Sequence, residues 1–215
     1  QIKLDLEEKS TLLRELYHRT KNNMQVISAM LSMQARTSES EIVKTTFKEI
    51  IHKIKTMSLV HQKLYEAHDL SNISLKSYIE DLVNMLVQSY RTQSLNININ
   101  LELEDANVLI DTAIPLGLVL NEMISNIFKH AFPNNEKGEV LLRTFLDNNN
   151  EINLILEDNG IGSTKNIDAE SVKSMGLHTI FGVVEHQIMG KISLETKAGF
   201  KWHITLKKDV HKKRI

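Results

Sequence analysis

The sequence predicts an α+β protein in two parts: a long N-terminal helical hairpin over residues 1–70, then an α/β sandwich over residues 71–215. Three observations point there. Up to about residue 70 there is no Gly and no Pro, and apolar residues recur at helical spacing. All eight Gly and both Pro fall beyond it, where helical and strand-like segments alternate. Residues 96–104 read Asn-Ile-Asn-Ile-Asn-Leu-Glu-Leu-Glu, a strict period of two that fits a strand with one wet face.

Residues 4–34 read as one helix, with Leu13, Leu16, Met24, Ile27, Met30 and Leu31 at three- and four-residue steps. A polar stripe of Arg14, His18, Lys21, Asn22 and Gln25 runs between them and turns His18 toward solvent or a partner. The polar turn 36–40 follows, with Ser40 as an N-cap. A second helix places Val43, Phe47, Ile50, Ile54, Met57, His61 and Leu64 on one face. Two long helices joined so briefly form an antiparallel hairpin. A hairpin this thin buries little, so a dimeric four-helix bundle is expected. His61, on the apolar stripe, is expected to be a packed histidine rather than a reactive one.

Residues 68–72 read as a linker, and residues 74–91 as a helix capped by Ser74. After the strand at 96–104, residues 112–131 form a helix with Pro115 tolerated in its first turns. Strands at 140–146 and 152–157 flank the turn Asp147-Asn148-Asn149-Asn150. A Gly-containing loop leads to a helix at 176–189. Strands at 192–196 and 202–207 close the chain, joined through Ala198-Gly199.

Composition narrows the chemistry. With no Cys, disulfides, thiol catalysis and Cys-ligated zinc are excluded. The net charge of -1 gives no overall field for nucleic acid, and the basic stretch at 207–214 reads as a solvated end. No apolar run is long enough to span a bilayer. The chain starts at Gln1 rather than Met and with no signal-peptide pattern, which suggests a cytoplasmic segment of something longer. Any membrane anchor or sensing part would lie outside this segment, which itself should contact neither membrane nor nucleic acid.

Three stretches look chemical. His18 lies in Tyr-His-Arg-Thr-Lys-Asn-Asn, residues 17–23; a free imidazole there can act as nucleophile, base or ligand. In the helix 121–131, Asn121, Glu122, Ser125, Asn126 and Lys129 fall about one turn apart on one face, opposite Leu120, Met123, Ile124, Ile127 and Phe128. Repeated Asn in mid-helix, where it is a weak helix former, suggests a chemical use. The third stretch is Glu-Asp-Asn-Gly-Ile-Gly, residues 157–162. It places a carboxylate at a strand end before two glycines that let backbone approach a ligand. Ser174-Met175-Gly176-Leu177 follows, and the ordered set points to nucleotide binding.

On these motifs the second half resembles the Bergerat-type ATP-binding domain of the gyrase, Hsp90-type chaperone, MutL and histidine kinase superfamily. Residues 121–131 look like its N box, residues 158–162 its first glycine box and Gly176-Leu177 its second. The resemblance implies Mg²⁺ on Asn126, phosphate contacts from Lys129 and His130, and Glu122 polarising a water or the attacking group. It implies Asp158 accepting the adenine amino group, Gly160 and Gly162 shaping the pocket, and residues 163–175 as a lid over the phosphates. The start of the helix at Gly176 would give backbone donors to them.

The first half is similar to a histidine kinase subfamily whose phosphoacceptor helix reads H-R-x-K-N-N, and residues 60–65 resemble it too. Together these imply the catalytic core of a sensor histidine kinase, a homodimer using ATP and Mg²⁺. His18 would be the phosphoacceptor and Glu15 would orient or deprotonate it, unless Glu15 simply pairs with Arg19. The phosphate would pass to an Asp of a response regulator receiver domain, and Asn22 would orient a water for regulator dephosphorylation. One departure is visible: Gly199-Phe200 stands where many members have Gly-Thr, which leaves the second adenine contact open. An ATPase of the same superfamily with a dimerising hairpin, and a non-catalytic dimeric scaffold, remain as alternatives.

Overall fold

A computed structural model of the chain describes residues 2–66, 72–90, 97–133, 137–163, 175–196 and 198–207. It divides into two compact units, Gln1–Ile73 and Ser74–Ile215. Most of the expected linker, the lid between residues 163 and 175, and the basic tail beyond Lys207 lie outside the described residues.

The first unit is a hairpin of α1 (Ile2–Thr37) and α2 (Glu41–Glu66). Ser40 caps α2: its Oγ accepts from the Val43 N–H at 3.5 Å and its carbonyl from the Lys44 N–H at 3.0 Å. Ala35 and Ile51 are buried, one on each helix. The expected apolar stripe of α1 is only partly covered. Met24 and Leu31 are half-buried, whereas Leu13, Leu16, Ile27 and Met30 are 41%, 57%, 48% and 61% exposed. His61 is half-buried, its ring 5.7 Å from that of Tyr17, and burial lowers its pKa.

Beyond the short β1 (Asn72–Ser74), α3 (Leu75–Tyr90) opens on the expected cap, with the Ser77 N–H donating to Ser74 Oγ at 3.2 Å. Then come β2 (Ile97–Leu103), β3 (Asn107–Leu109), α4 (Ile110–Asn126), β4 (Gly138–Leu146) and β5 (Glu151–Asp158). The chain continues through α5 (Met175–Gly182), β6 (Lys191–Glu195) and β7 (Lys201–Lys207). The five long strands form one sheet in the order β2-β4-β5-β7-β6, parallel between β2 and β4 and antiparallel elsewhere. Asp147 makes the β4–β5 turn: its Oδ1 accepts from the N–H groups of Asn149 and Glu151.

Register explains the layers. Leu142, Leu156 and Trp202 are cross-strand partners, as are Leu154 and Ile204, and all five are buried on one face. Trp202 meets Phe181 of α5 there, ring centroids 5.9 Å apart. The opposite face carries ion pairs, Arg143 with Glu102 and Lys201 with Glu157. Among the described residues no helix is long and apolar enough to cross a membrane.

Two helices end differently from expectation. The helix expected to run unbroken through residue 131 is α-helical only to Asn126, and Ile127–Ala131 is a π-turn. Likewise α5 gives way at Gly182 to a π-turn, Val183–Gln187. A π-turn hydrogen-bonds i→i+5, so it is wider than the 3.6-residue α-turn and rotates the residues after it onto other faces.

Candidate functional site

A cavity of about 230 Å³ opens between the end of α4, the end of β5, the start of α5 and the approach to β7. The α4 segment lines it with Met123, Asn126, Ile127, His130 and Ala131, and β5 with Asp158. The start of α5 adds Gly176 and Leu177, and Phe200 and Trp202 complete it. Motifs far apart in sequence therefore share one mostly apolar pocket with few polar groups, the usual make-up of a small-molecule site.

Asp158 is the polar centre. It is 2% exposed; its Oδ1 accepts from the Gly160 N–H at 2.9 Å, while Oδ2 is buried without a hydrogen-bond partner. Burial pushes its carboxyl above the usual range, with Glu157 adding to the shift and the Gly160 N–H opposing it. A buried acceptor left open costs free energy unless a ligand donor fills it.

The loop after Asp158 is held by backbone. The Ile161 N–H donates to the Ala131 carbonyl at 3.0 Å, the Asn159 N–H to Glu139 at 3.1 Å and the Ser163 N–H to Thr196 at 3.2 Å. Gly160 is required by space: a Cβ there would stand 2.5 Å from the Ala131 carbonyl oxygen. Gly199 is required twice, by φ of 90° and because a Cβ would overlap the Asp158 carbonyl oxygen. A Cβ on Gly176 would lie 3.2 Å from Glu122 Oε2 and 3.9 Å from Asn126 Nδ2, so the first turn of α5 starts against both side chains.

The polar face expected along residues 121–129 does not act as one. Asn126 reaches the cavity and Glu122 borders Gly176, but Asn121 and Ser125 are buried, 2% and 6% exposed. His130, in the π-turn, lines the cavity with Asn126 four residues before it; Lys129 is half-buried and does not line it. Met123 and Ile127, expected to be core, are pocket walls, as are Phe200 and Trp202. Only their place beside the motifs could have marked them as such.

In the hairpin unit His18 is exposed on α1. Asn22 Nδ2 lies 3.3 Å from His18 Nδ1, one turn on. Glu15 accepts from Arg19 Nε at 2.8 Å, an ordinary intrahelical pair.

This fold and pocket define a class: an α/β sandwich with a cleft sized for a small molecule, in one chain with a helical hairpin that carries an exposed histidine. Residues 15–90 match the HisKA_2 family, described as histidine kinase. Over 196 residues the chain is 28% identical to the sensor histidine kinase PdtaS of Mycobacterium tuberculosis, covering 88% of this chain and 37% of that protein. It is 23% identical over 177 residues to blue-light-activated histidine kinase 2 of Erythrobacter litoralis, 80% of this chain and 50% of that one. The solved histidine kinase domain of the Erythrobacter litoralis EL346 blue-light-activated kinase shares the fold, with a TM-score of 0.66 at 17% identity over 93% of this chain and 94% of that domain. The chain spans little more than a third of the length of PdtaS and half that of the second kinase.

Proposed function

We propose that this chain is the catalytic core of a sensor histidine kinase that phosphorylates itself on His18 from Mg-ATP. The observation that carries the proposal is the single cavity in which Asp158, Asn126, His130 and the start of α5 converge, with the buried Asp158 Oδ2 open to a donor. Adenine enters the apolar end between Met123, Ile127, Phe200 and Trp202 and donates its amino group to Asp158. The phosphates then extend past Asn126 and His130 toward the first turn of α5, whose backbone N–H groups can donate to them.

Asn126 offers one carboxamide oxygen, a donor set that suits Mg²⁺ when phosphate oxygens and water supply the rest. Bound there, the ion would neutralise charge on the transferred group. A lone pair of the His18 ring attacks the γ-phosphorus in line. The N–P bond forms as the bond to the bridging oxygen breaks, ADP leaves, and the imidazole proton passes to solvent or to Glu15. Glu122, beside Gly176, orients the attacking group or a water, and Lys129 contributes positive charge from the flank of the π-turn.

The phosphoryl group then passes to an Asp of a response regulator receiver domain docked on the hairpin, and Asn22 orients a water for dephosphorylation of that regulator. The exposed Leu13, Leu16, Ile27 and Met30 form the face by which two hairpins make a four-helix bundle. Incubation with γ-labelled ATP tests the core claim. The label should be acid-labile and alkali-stable on the protein, and lost in His18→Gln. Free phosphate released from an unlabelled protein would instead make it an ATPase of the same fold. Calorimetry showing no Mg-ATP binding would leave a dimeric scaffold.

A further inference from the structure

The buried half of the α4 polar face has a partner in α3 that no motif includes. Tyr90, the last residue of α3, donates from its hydroxyl to Ser125 Oγ at 3.1 Å, and Ser125 donates onward to Asn121 Oδ1 at 3.4 Å. The Tyr90 ring also stacks on Phe128, centroids 4.7 Å apart and planes within 8°. All four side chains are buried, none more than 8% exposed, and none lines the nucleotide cavity. Phe128 belongs to the π-turn Ile127–Ala131. Tyr90 therefore grips the back of that segment at two points, one on the α-turn just before Asn126 and one inside the π-turn just after it.

Asn126 and His130 lie four residues apart and share one face of the helix. Both line the cavity wall, on the segment that Tyr90 braces from behind. A π-turn is rarer than an α-turn and persists only where its surroundings favour it. The stack on Phe128 and the hydroxyl chain through Ser125 are such surroundings, and they lie on the side away from the ligand.

We propose that Tyr90 is a positioning residue for the phosphate end of the nucleotide site, holding the π-turn so that Asn126 and His130 face the phosphates. The base end is centred on Asp158 at the tip of β5 and shares with the gripped turn only the Ile127 and Ala131 walls and the Ile161–Ala131 backbone bond, so it should depend on Tyr90 far less. This rests on the nucleotide-binding reading and adds to it a residue that touches no ligand.

The test compares two ligands on the 215-residue chain. Mg-ATP and adenosine are titrated by calorimetry into the wild type, Tyr90→Phe, Ser125→Ala and Ser125→Thr, with thermal unfolding recorded for each. Tyr90→Phe keeps the stack and removes one hydroxyl hydrogen bond, an effect of about 3- to 10-fold. The expected result is Mg-ATP affinity reduced about 3- to 10-fold in Tyr90→Phe and Ser125→Ala, with adenosine affinity within about twofold of wild type. Ser125→Thr, which keeps the hydroxyl, should restore Mg-ATP binding. Equal weakening of both ligands would mean general support of the domain and overturn the proposal. So would unchanged Mg-ATP affinity in both Tyr90→Phe and Ser125→Ala. A wild type that binds adenosine but gains nothing from the phosphates would sink the nucleotide-site reading itself, and this proposal with it.

Discussion

The carboxamide of Asn22 and the ring of His18 face each other across one turn of α1, Nδ2 to Nδ1 at 3.3 Å. With Nδ2 donating, Nδ1 is the acceptor and the ring proton sits on Nε2. Turning the amide over lets Oδ1 accept from a protonated Nδ1, which leaves the lone pair on exposed Nε2. One asparagine can thus serve both tautomers, and the second presents a nucleophile. On the proposed mechanism the same amide would also orient the water that dephosphorylates the regulator.

Two outcomes follow for Asn22→Ala. Autophosphorylation should slow by about fivefold, the worth of one hydrogen bond that orients the ring. Dephosphorylation of the phosphorylated regulator should fall further, by about 100-fold, as expected when a positioned polar group is lost from a water-attack step. Both rates are measurable with labelled regulator, and an unchanged dephosphorylation rate would remove Asn22 from that role.

Asp158 should link pH to stability and to binding in opposite senses. Its folded-state pKa is raised, chiefly by burial. Its contribution to stability is therefore fully present below the ordinary Asp value and is lost as pH rises through the raised folded value. Accepting from adenine needs the ionised form, so affinity should fall as pH drops through that same raised value. Asp158→Asn separates the two. Oδ1 stays committed to the Gly160 N–H, so the substitution puts an NH₂ donor where Oδ2 was, facing the adenine amine. Adenosine affinity should drop about tenfold or more, as a charge-assisted hydrogen bond implies. The unfolding midpoint at neutral pH should hold or rise, and its pH dependence flatten. Undiminished adenosine binding by the variant would mean that Asp158 does not read the base.

The uncovered stripe on α1 makes a prediction about assembly. Ile27 is 48% and Met30 61% exposed, so a Glu at either position costs an isolated hairpin little. In a bundle interface an unpaired carboxylate costs about 3–5 kcal/mol, enough to raise the dimer dissociation constant more than 100-fold. Sedimentation should show the wild type at twice the 24.6 kDa chain mass, Ile27→Glu at the chain mass, and Gln25→Glu, on the polar stripe, unchanged. A wild type that stays monomeric at high concentration would contradict the bundle.

Much of this was legible in the residues, and the exceptions have physical causes. Alternation located β2, turn signals the other four long strands and helical spacing the helices, and Ser40 and Ser74 cap where their chemistry suggests. The three-residue β3 has no room for a pattern. The π-turn after Asn126 was invisible because the spacing of apolar and polar residues is nearly the same for either ladder. Contacts from elsewhere accompany it: the Tyr90 ring on Phe128 and the Ile161 N–H on the Ala131 carbonyl. For the same reason one polar stripe could not reveal that Asn126 faces the cavity while Ser125, next to it, faces Tyr90. The Glu15–Arg19 pair follows from i,i+4 spacing on an exposed helix face.

Gly160 offers the sharpest test of how loop and helix are joined. A Cβ there would stand 2.5 Å from the Ala131 carbonyl oxygen, 2.7 Å from the Ala131 Cβ and 2.8 Å from Asp158 Oδ1. None of these is the far end of a flexible side chain, so relief requires the backbone of the π-turn or the Asp158 carboxyl to move. Moving Ala131 also strains the carbonyl that accepts from the Ile161 N–H, and it shifts His130 next to it. Gly160→Ala should lower stability by about 1–3 kcal/mol, the usual cost of overpacking. It should also weaken adenosine and Mg-ATP alike, because the carboxyl that reads the base and the turn that faces the phosphates are displaced together. That common loss distinguishes it from Tyr90→Phe, which should spare adenosine. Thermal unfolding and the two titrations check it, and a variant with wild-type stability and binding would show that the loop yields without disturbing its neighbours.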